Sequence, residues 1–177
     1  MINFIFDLFT KLFVLGLKTT SFFHMSVFVS RIPFAFGNKL RYCFYKKTLN
    51  QVGDNVVFSY GTIFTHREIS IGNNVRFGPY DTIGLVDFGD DIIIGQYVHF
   101  LSGKNQHNYD KRDVIISQQG GNIEKVMIGN DIWIGTGSII LANISKGNVV
   151  AAGSIVTKKF DEYSVVGGNP AKVIKYR

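Results

Sequence analysis

The chain has 177 residues, one cysteine and a formal net charge of +6, with 46% hydrophobic and 18% charged residues. That length suits one domain with a small appendage, and the composition excludes an extended disordered chain. The lone Cys43 excludes an intrachain disulfide and makes a reducing compartment the default.

The charge is concentrated at the start. Residues 1–48 carry seven Lys/Arg against the single acid Asp7, and they hold ten of the sixteen phenylalanines, while the rest of the chain is balanced. A cationic, Phe-rich segment on a neutral body points to a membrane surface before nucleic acid. Packing on the body or on another subunit is the competing reading. "INFIFDLFTKLFVLGLK" sets Asn3, Asp7, Thr10, Lys11 and Lys18 on a narrow polar stripe of helical spacing, with Asp7 and Lys11 an i, i+4 pair. Its apolar runs are far shorter than the ~20 residues needed to cross a bilayer. No basic segment precedes them and no small-residue cleavage site follows, so a secretory signal is not expected. A second apolar run, "FFHMSVFV", ends near Pro33, where a helix should stop. The expectation is one or two interfacial helices making peripheral membrane contact through residues 1–30. The protein would then be cytoplasmic, at the inner face of the membrane.

From Val52 onward the chain counts in sixes. Val52, Phe58 and Phe64 are followed by Ile71, Phe77 and Ile83, then Phe88, Ile94 and Phe100. After an interruption come Ile128, Ile134 and Ile140, then Ile144, Val150 and Val156. A period of six fits neither a helix nor a two-faced strand; it fits a solenoid of three-sided coils with a short strand on each side. The glycine that often follows the aliphatic residue is expected to ease the turn by adopting backbone angles other residues avoid.

The segments "IGNDIWIGTGSIIL", "GNVVAAGSIVTK" and "VVGGNPAKVI" resemble the hexapeptide-repeat acyltransferases of the maltose, galactoside and polysaccharide O-acetyltransferase branch. The resemblance covers roughly residues 50–177. It implies an all-β fold, a left-handed parallel β-helix over 49–177 with a loop excursion at 102–125 and a tail at 160–177, behind a helical segment at 1–48. It also implies a homotrimer with sites at subunit interfaces. One departure concerns the step from Ile140 to Ile144: "ILANIS" lacks the Pro-Gly turn usual there and reads as a two-residue deletion at a coil corner. It should reshape one edge without moving the coils that follow.

The interval Ser102 to Lys125 is polar, loses the register and contains "NQHNYDKRD". A long excursion inside a compact repeat is usually functional or mobile. Moving an acetyl group from acetyl-CoA to a hydroxyl needs a base, and histidine titrates near neutrality. In the resembling family the catalytic histidine follows an Ile-Gly hexapeptide by a short polar stretch, and "IGQYVHFLSGKNQH" places His107 there. His99, beside a corner, is the alternative. Asp81, Asp110 and Asp113 are candidates to orient the imidazole, with Asp81 also a candidate substrate contact. His66 reads as a surface histidine, and His24 lies in the helical leader.

The resemblance assigns the donor acetyl-CoA to Trp133 and Thr136, to Ala152, Thr157 and Lys158, and, at the nucleotide phosphates, to Lys172 and Lys175. Trp133 reads equally as a subunit-interface residue. No metal is expected: the zinc-dependent carbonic anhydrases of this fold need three histidines, and His66, His99 and His107 lack the close pair such a site requires. The function implied is O-acetylation of a sugar in a surface polysaccharide or its precursor, with no nucleic-acid partner. N-acetylation of an amino sugar, or a non-catalytic scaffold, are the alternatives.

Overall fold

The structure, a computed structural model, describes residues 2–177, with side chains described from residue 6 onward, so Asn3 of the expected polar stripe lies outside them. Three helices lead: α1 (Ile2–Gly16), α2 (Phe22–Ser30) and α3 (Phe34–Thr48). Short strands then wind around a triangular prism with faces A, B and C. Face A holds β1 (Gln51–Val52), β4 (Ser70–Ile71), β7 (Val86–Phe88) and β10 (Val126–Ile128). Face B holds β2 (Val57–Phe58), β5 (Val75–Phe77), β8 (Ile92–Ile94), β11 (Ile132–Ile134), β13 (Val149–Val150), β15 (Ser164–Gly168) and β16 (Ala171–Tyr176). Face C holds β3 (Ile63–Phe64), β6 (Thr82–Ile83), β9 (His99–Phe100), β12 (Ile139–Ile140) and β14 (Ile155–Val156). Successive coils pair in parallel, and only the terminal β15–β16 hairpin is antiparallel.

The sixfold register describes the core correctly. All fifteen aliphatic or aromatic positions named above are buried. They stack in columns: Val52 on Ile71, Phe64 on Ile83 on Phe100 on Ile140 on Val156. The step across the excursion keeps this register, Phe88 lying opposite Ile128. So does the shortened corner, since Ile128 bridges Ile144 and Ile140 pairs with Val156. The two missing residues are therefore absorbed at one corner.

The glycines act differently from expectation. The left-handed corner positions are mostly not glycine: Asn55, Asn74, Asp91 and Asp131 occupy one column, and Tyr80 and Tyr97 another. Asx residues tolerate this conformation better than most. The glycines after the core residues have ordinary angles and are needed because the coils touch there. A Cβ on Gly78 would lie 1.9 Å from the Gly95 carbonyl oxygen, and one on Gly95 would lie 2.5 Å from the Thr136 nitrogen.

The helical segment is part of the domain's core. Tyr45 of α3 plugs the open end of the prism, its ring 4.7 Å from both Phe58 and Phe64. A bare first coil would expose unpaired backbone groups, and the cap supplies partners. Ser26 Oγ accepts from the Phe64 N–H (2.8 Å), Arg41 Nε donates to the Phe58 carbonyl (2.8 Å), and the Gly61 N–H donates to the Ser30 carbonyl (2.9 Å). Arg41 is fully buried and also donates to the Ser30 and Ile32 carbonyls and to Asn38. Only α1 stands outside this layer, packing on α3. No helix among the described residues is long and apolar enough to cross a membrane.

Candidate functional site

Between faces C and A the chain turns at one vertex, where the steps between core residues depart from six: seven from Phe64 to Ile71, five from Ile83 to Phe88, the long excursion from Phe100 to Ile128, and four from Ile140 to Ile144. The excursion leaves after Phe100 and returns at Val126; the shortened corner Leu141–Ala142–Asn143 lies in the coil below. Between them runs a groove of about 360 Å³, lined by Gly103, Lys104, Glu124 and Lys125 at the foot of the excursion, by Leu141–Asn143, and by Thr157, Lys158 and Lys159. Four lysines against one glutamate make it cationic. Lys125 is partly neutralised by Asp87 (3.0 Å), which also accepts from the Ser70 N–H.

The excursion is an arm that folds back on itself without regular strands, with one short 3-10 turn at Ile116–Gln118. Its foot is anchored: Ser102 is buried, its hydroxyl accepting from the Leu85 N–H, and the Glu124 N–H donates to the Ser102 carbonyl. Further out, the Asn122 N–H donates to the Asn105 carbonyl and the Asn108 N–H to the Gly120 carbonyl. Gln119 clamps the tip, bonding both backbone groups of Lys111 and the Val114 carbonyl. From Lys104 to Lys125 no residue is buried. His107 therefore projects from an ordered but uncovered arm, against the bare Gly121; a Cβ on Gly121 would lie 1.9 Å from the Gln106 carbonyl oxygen. Among the described residues no hydrogen bond within the chain holds its ring.

Asp81 is neither an orienter of His107 nor a substrate contact within this chain. It sits two positions before a face-C core residue, in the inward column that also contains Thr62, Val98, Ser138 and Ser154, and is fully buried. Its two side-chain oxygens accept from the Gly78 and Val98 N–H groups, both at 2.8 Å. Burial pushes its carboxyl up to about 8 against the pull of those two donors. Its neighbours in the column do similar work: Thr62 donates to the Gly78 carbonyl, and Ser138 and Ser154 to the Ala151 carbonyl. Sequence reasoning missed this column, although its spacing from the aliphatic register is constant.

His99 is exposed on the outer surface of face C, in register between Thr82 and Ile139. His66, at the C–A vertex above the arm, is partly buried and bonded to Thr65 (2.7 Å); His24 accepts from or donates to the N-cap Ser21. Among the described residues no three His, Cys, Asp or Glu side chains are grouped to hold a metal ion.

The residues assigned to the donor divide into two sets. Thr157 and Lys158 line the groove beneath the arm. Trp133, 58% exposed, stands on the outside of face B beside Ile93, with Thr136 and Ala152 at the adjoining B–C vertex. Lys172 and Lys175 are exposed on β16, at the far end of the same face. Face B is the side of the prism opposite the C–A vertex, so Trp133 and the arm's origin point away from each other in one protomer.

Comparison with known proteins agrees with this architecture. The galactoside acetyltransferase solved with coenzyme A superposes with a TM-score of 0.70 at 24% identity, covering 86% of this chain and 78% of that one. The maltose O-acetyltransferase of Clostridium difficile 630 gives 0.63 at 21% identity over 92% and 88%. Among curated proteins, a chloramphenicol acetyltransferase of Klebsiella aerogenes is 33% identical over 120 residues, 57% of this chain and 56% of its own length. A second, from Agrobacterium fabrum, is 47% identical over 53 residues, 25% of its length. The chain thus spans about half or less of these curated relatives. No protein-family profile matches it. The fold is the left-handed parallel β-helix of the hexapeptide-repeat acetyltransferases.

Proposed function

We propose that this protein is an acetyl-CoA-dependent O-acetyltransferase that modifies a sugar hydroxyl, in a surface polysaccharide or its lipid-linked precursor. The observation that carries the reading is the C–A vertex: the two largest departures from the repeat fall there on adjacent coils, and the result is a cationic groove beneath an arm bearing His107. Packing alone gives no reason for either break, because the core register continues through both.

In this reading the His107 imidazole takes the proton of the acceptor hydroxyl as its oxygen attacks the thioester carbonyl. A C–O bond forms, the C–S bond breaks, and the departing thiolate receives the proton from the imidazolium. General-base assistance of this kind is worth about 10²–10⁴ in rate. Thr157 and Lys158, with Lys104 across the groove, suit the amides and phosphates of the donor, since small side chains allow close approach and ammonium groups meet phosphate.

The assembly is a homotrimer. Support comes from two uncovered apolar surfaces: Tyr109, Ile115 and Ile116 on the arm, and Ile93 and Trp133 on face B, all more than half exposed. Because the arm and face B point opposite ways, one protomer's arm reaches the next protomer's face B, and a closed head-to-tail ring satisfies both. The site then combines His107 and the groove of one protomer with Trp133, Thr136 and Ala152 of another, which also supplies the orienting partner that His107 lacks in its own chain. The protein works at the cytoplasmic face of a membrane, which it meets through residues 1–30.

The test is thiol release from acetyl-CoA in the presence of candidate sugars. His107→Ala should lower turnover by about 10²–10⁴, and His99→Ala should leave it near the wild-type rate. Unchanged turnover in His107→Ala sinks the assignment. An N-acyltransferase, AntD of Bacillus cereus, shares the fold (TM-score 0.58, 19% identity). Preference for an amino sugar over its hydroxyl counterpart would therefore shift the reading to N-acetylation.

A further inference from the structure

We propose that the outer face of the helical cap is a docking surface for an anionic lipid bilayer, holding the prism end-on to the membrane. The inference deepens the membrane contact just named, from a stretch of sequence to a surface built by three helices, and it is independent of the acetyl-transfer chemistry. Leu8, Leu12 and Leu15 lie at i, i+4 and i+7 of α1 on one helical face, and all three are about half exposed. The apolar surface continues across the helices through aromatic contacts: Phe36 of α3 meets Phe9 of α1 (5.8 Å), and Phe13 of α1 meets Phe28 of α2 (5.6 Å). Phe34, at the α2–α3 turn, is 86% exposed and has φ +63°, a left-handed conformation that is an outlier for a bulky side chain. Within this chain its exposure and its strain have no return; inserted among acyl chains, the ring has a partner.

Charge selects the occupant. Asp7 is engaged by Lys11 (2.8 Å) and Lys47 (2.5 Å), which hold its carboxyl down at about 2. Lys18 and Arg31 are exposed and make no ion pair among the described residues. Residues 1–48 contain no other acid, so a second copy of the same face would set cation against cation. Acidic head groups complement it, and apolar residues flanked by lysine and arginine are what an interfacial surface needs. Since Tyr45 seats the cap over the first coil, the bilayer lies beyond that end of the prism. The arm leaves after the third coil, about 15 Å further on at ~4.8 Å per coil. In a ring of parallel copies three caps face the same plane, and their contacts reinforce one another.

The experiment is co-sedimentation of the full chain with phosphatidylcholine vesicles, with and without phosphatidylglycerol. Removing residues 1–30 would unseat Ser26 and Ser30 from the first coil, so point changes on exposed residues are used instead. The wild-type chain should sediment with the anionic vesicles only. Lys18→Gln and Arg31→Gln should each weaken binding about fivefold, and Leu12→Asp with Phe28→Asp should abolish it, while circular dichroism and acetyl-CoA turnover on a soluble acceptor stay at wild-type levels. The proposal is overturned if the wild-type chain ignores anionic vesicles, or if the Asp variant binds as wild type. It is equally overturned if that variant loses oligomeric mass in solution with no vesicle binding in either form, which would make the face a contact between copies. Vesicle binding without turnover would sink the acetyltransferase reading and leave this one standing; the reverse result separates them the other way.

Discussion

The coils and the arm are built from the same chain by opposite rules. In the coils every sixth side chain is buried, each edge is paired with the next coil, and every described buried side-chain polar atom has a partner. In the arm, from Lys104 to Lys125, nothing is buried and order comes from a few backbone pairs and the Gln119 clamp. The contrast places stability in a stack that tolerates little change; the chemistry proposed above sits on a projection that the stack scarcely notices.

That separation can be broken most directly by removing the arm's side chain of interest. His107→Ala should cost about 10²–10⁴ in turnover with the thermal midpoint unchanged; a loss of stability alongside activity would mean that the arm supports the stack. The converse change is Phe77→Ala. Its ring meets Phe58, Phe64 and Phe88 at 5.4 Å or less, so its loss should destabilise the fold by about 3–5 kcal/mol in urea titration. The residual folded fraction should turn over normally.

Glycines sharpen the comparison on a smaller scale. Gly95→Ala drives a methyl into the Thr136 backbone and should cost about 1–3 kcal/mol. Gly120 in the arm has a positive φ, but an added Cβ there meets nothing within 4 Å. Gly120→Ala should therefore strain only the arm, lowering turnover without moving the urea midpoint.

The smallest effect expected is a slope. Asp81 holds its proton in the native state up to about pH 8, whereas in the unfolded chain it ionises near ~4. Between those values the native state binds more protons, so rising pH erodes the contribution of this group; below that window it is fully present, and above it the loss is complete. Unfolding midpoints compared between pH 5 and pH 8 should fall more in the wild-type chain than in Asp81→Asn. An equal fall in both would show that Asp81 is ionised in the folded state throughout.

How much of this was legible beforehand depended on whether a signal was periodic. The core positions were readable because one side chain in six must point inward on every face, and chain length at the breaks does not change which ones. The arm was readable as an absence of that signal. The reason for the glycines was not, because coil-to-coil approach at Gly78 and Gly95 involves residues far apart in sequence. The burial of Asp81 was hidden for the same reason: the sequence offered it as a candidate orienter and substrate contact, and only the column with Thr62, Ser138 and Ser154 turns it inward.

By itself the sequence determined the solenoid and its register, since both follow from spacing along the chain, and it made His107 a candidate through a polar break whose flanking segment resembles the family's. The tertiary structure decided that the helical segment is the lid of the prism, that the breaks in the repeat meet at one vertex, and that Trp133 faces away from the arm of its own protomer. Those are relations between residues that no local pattern encodes, set by which edges and faces come together when the coils close.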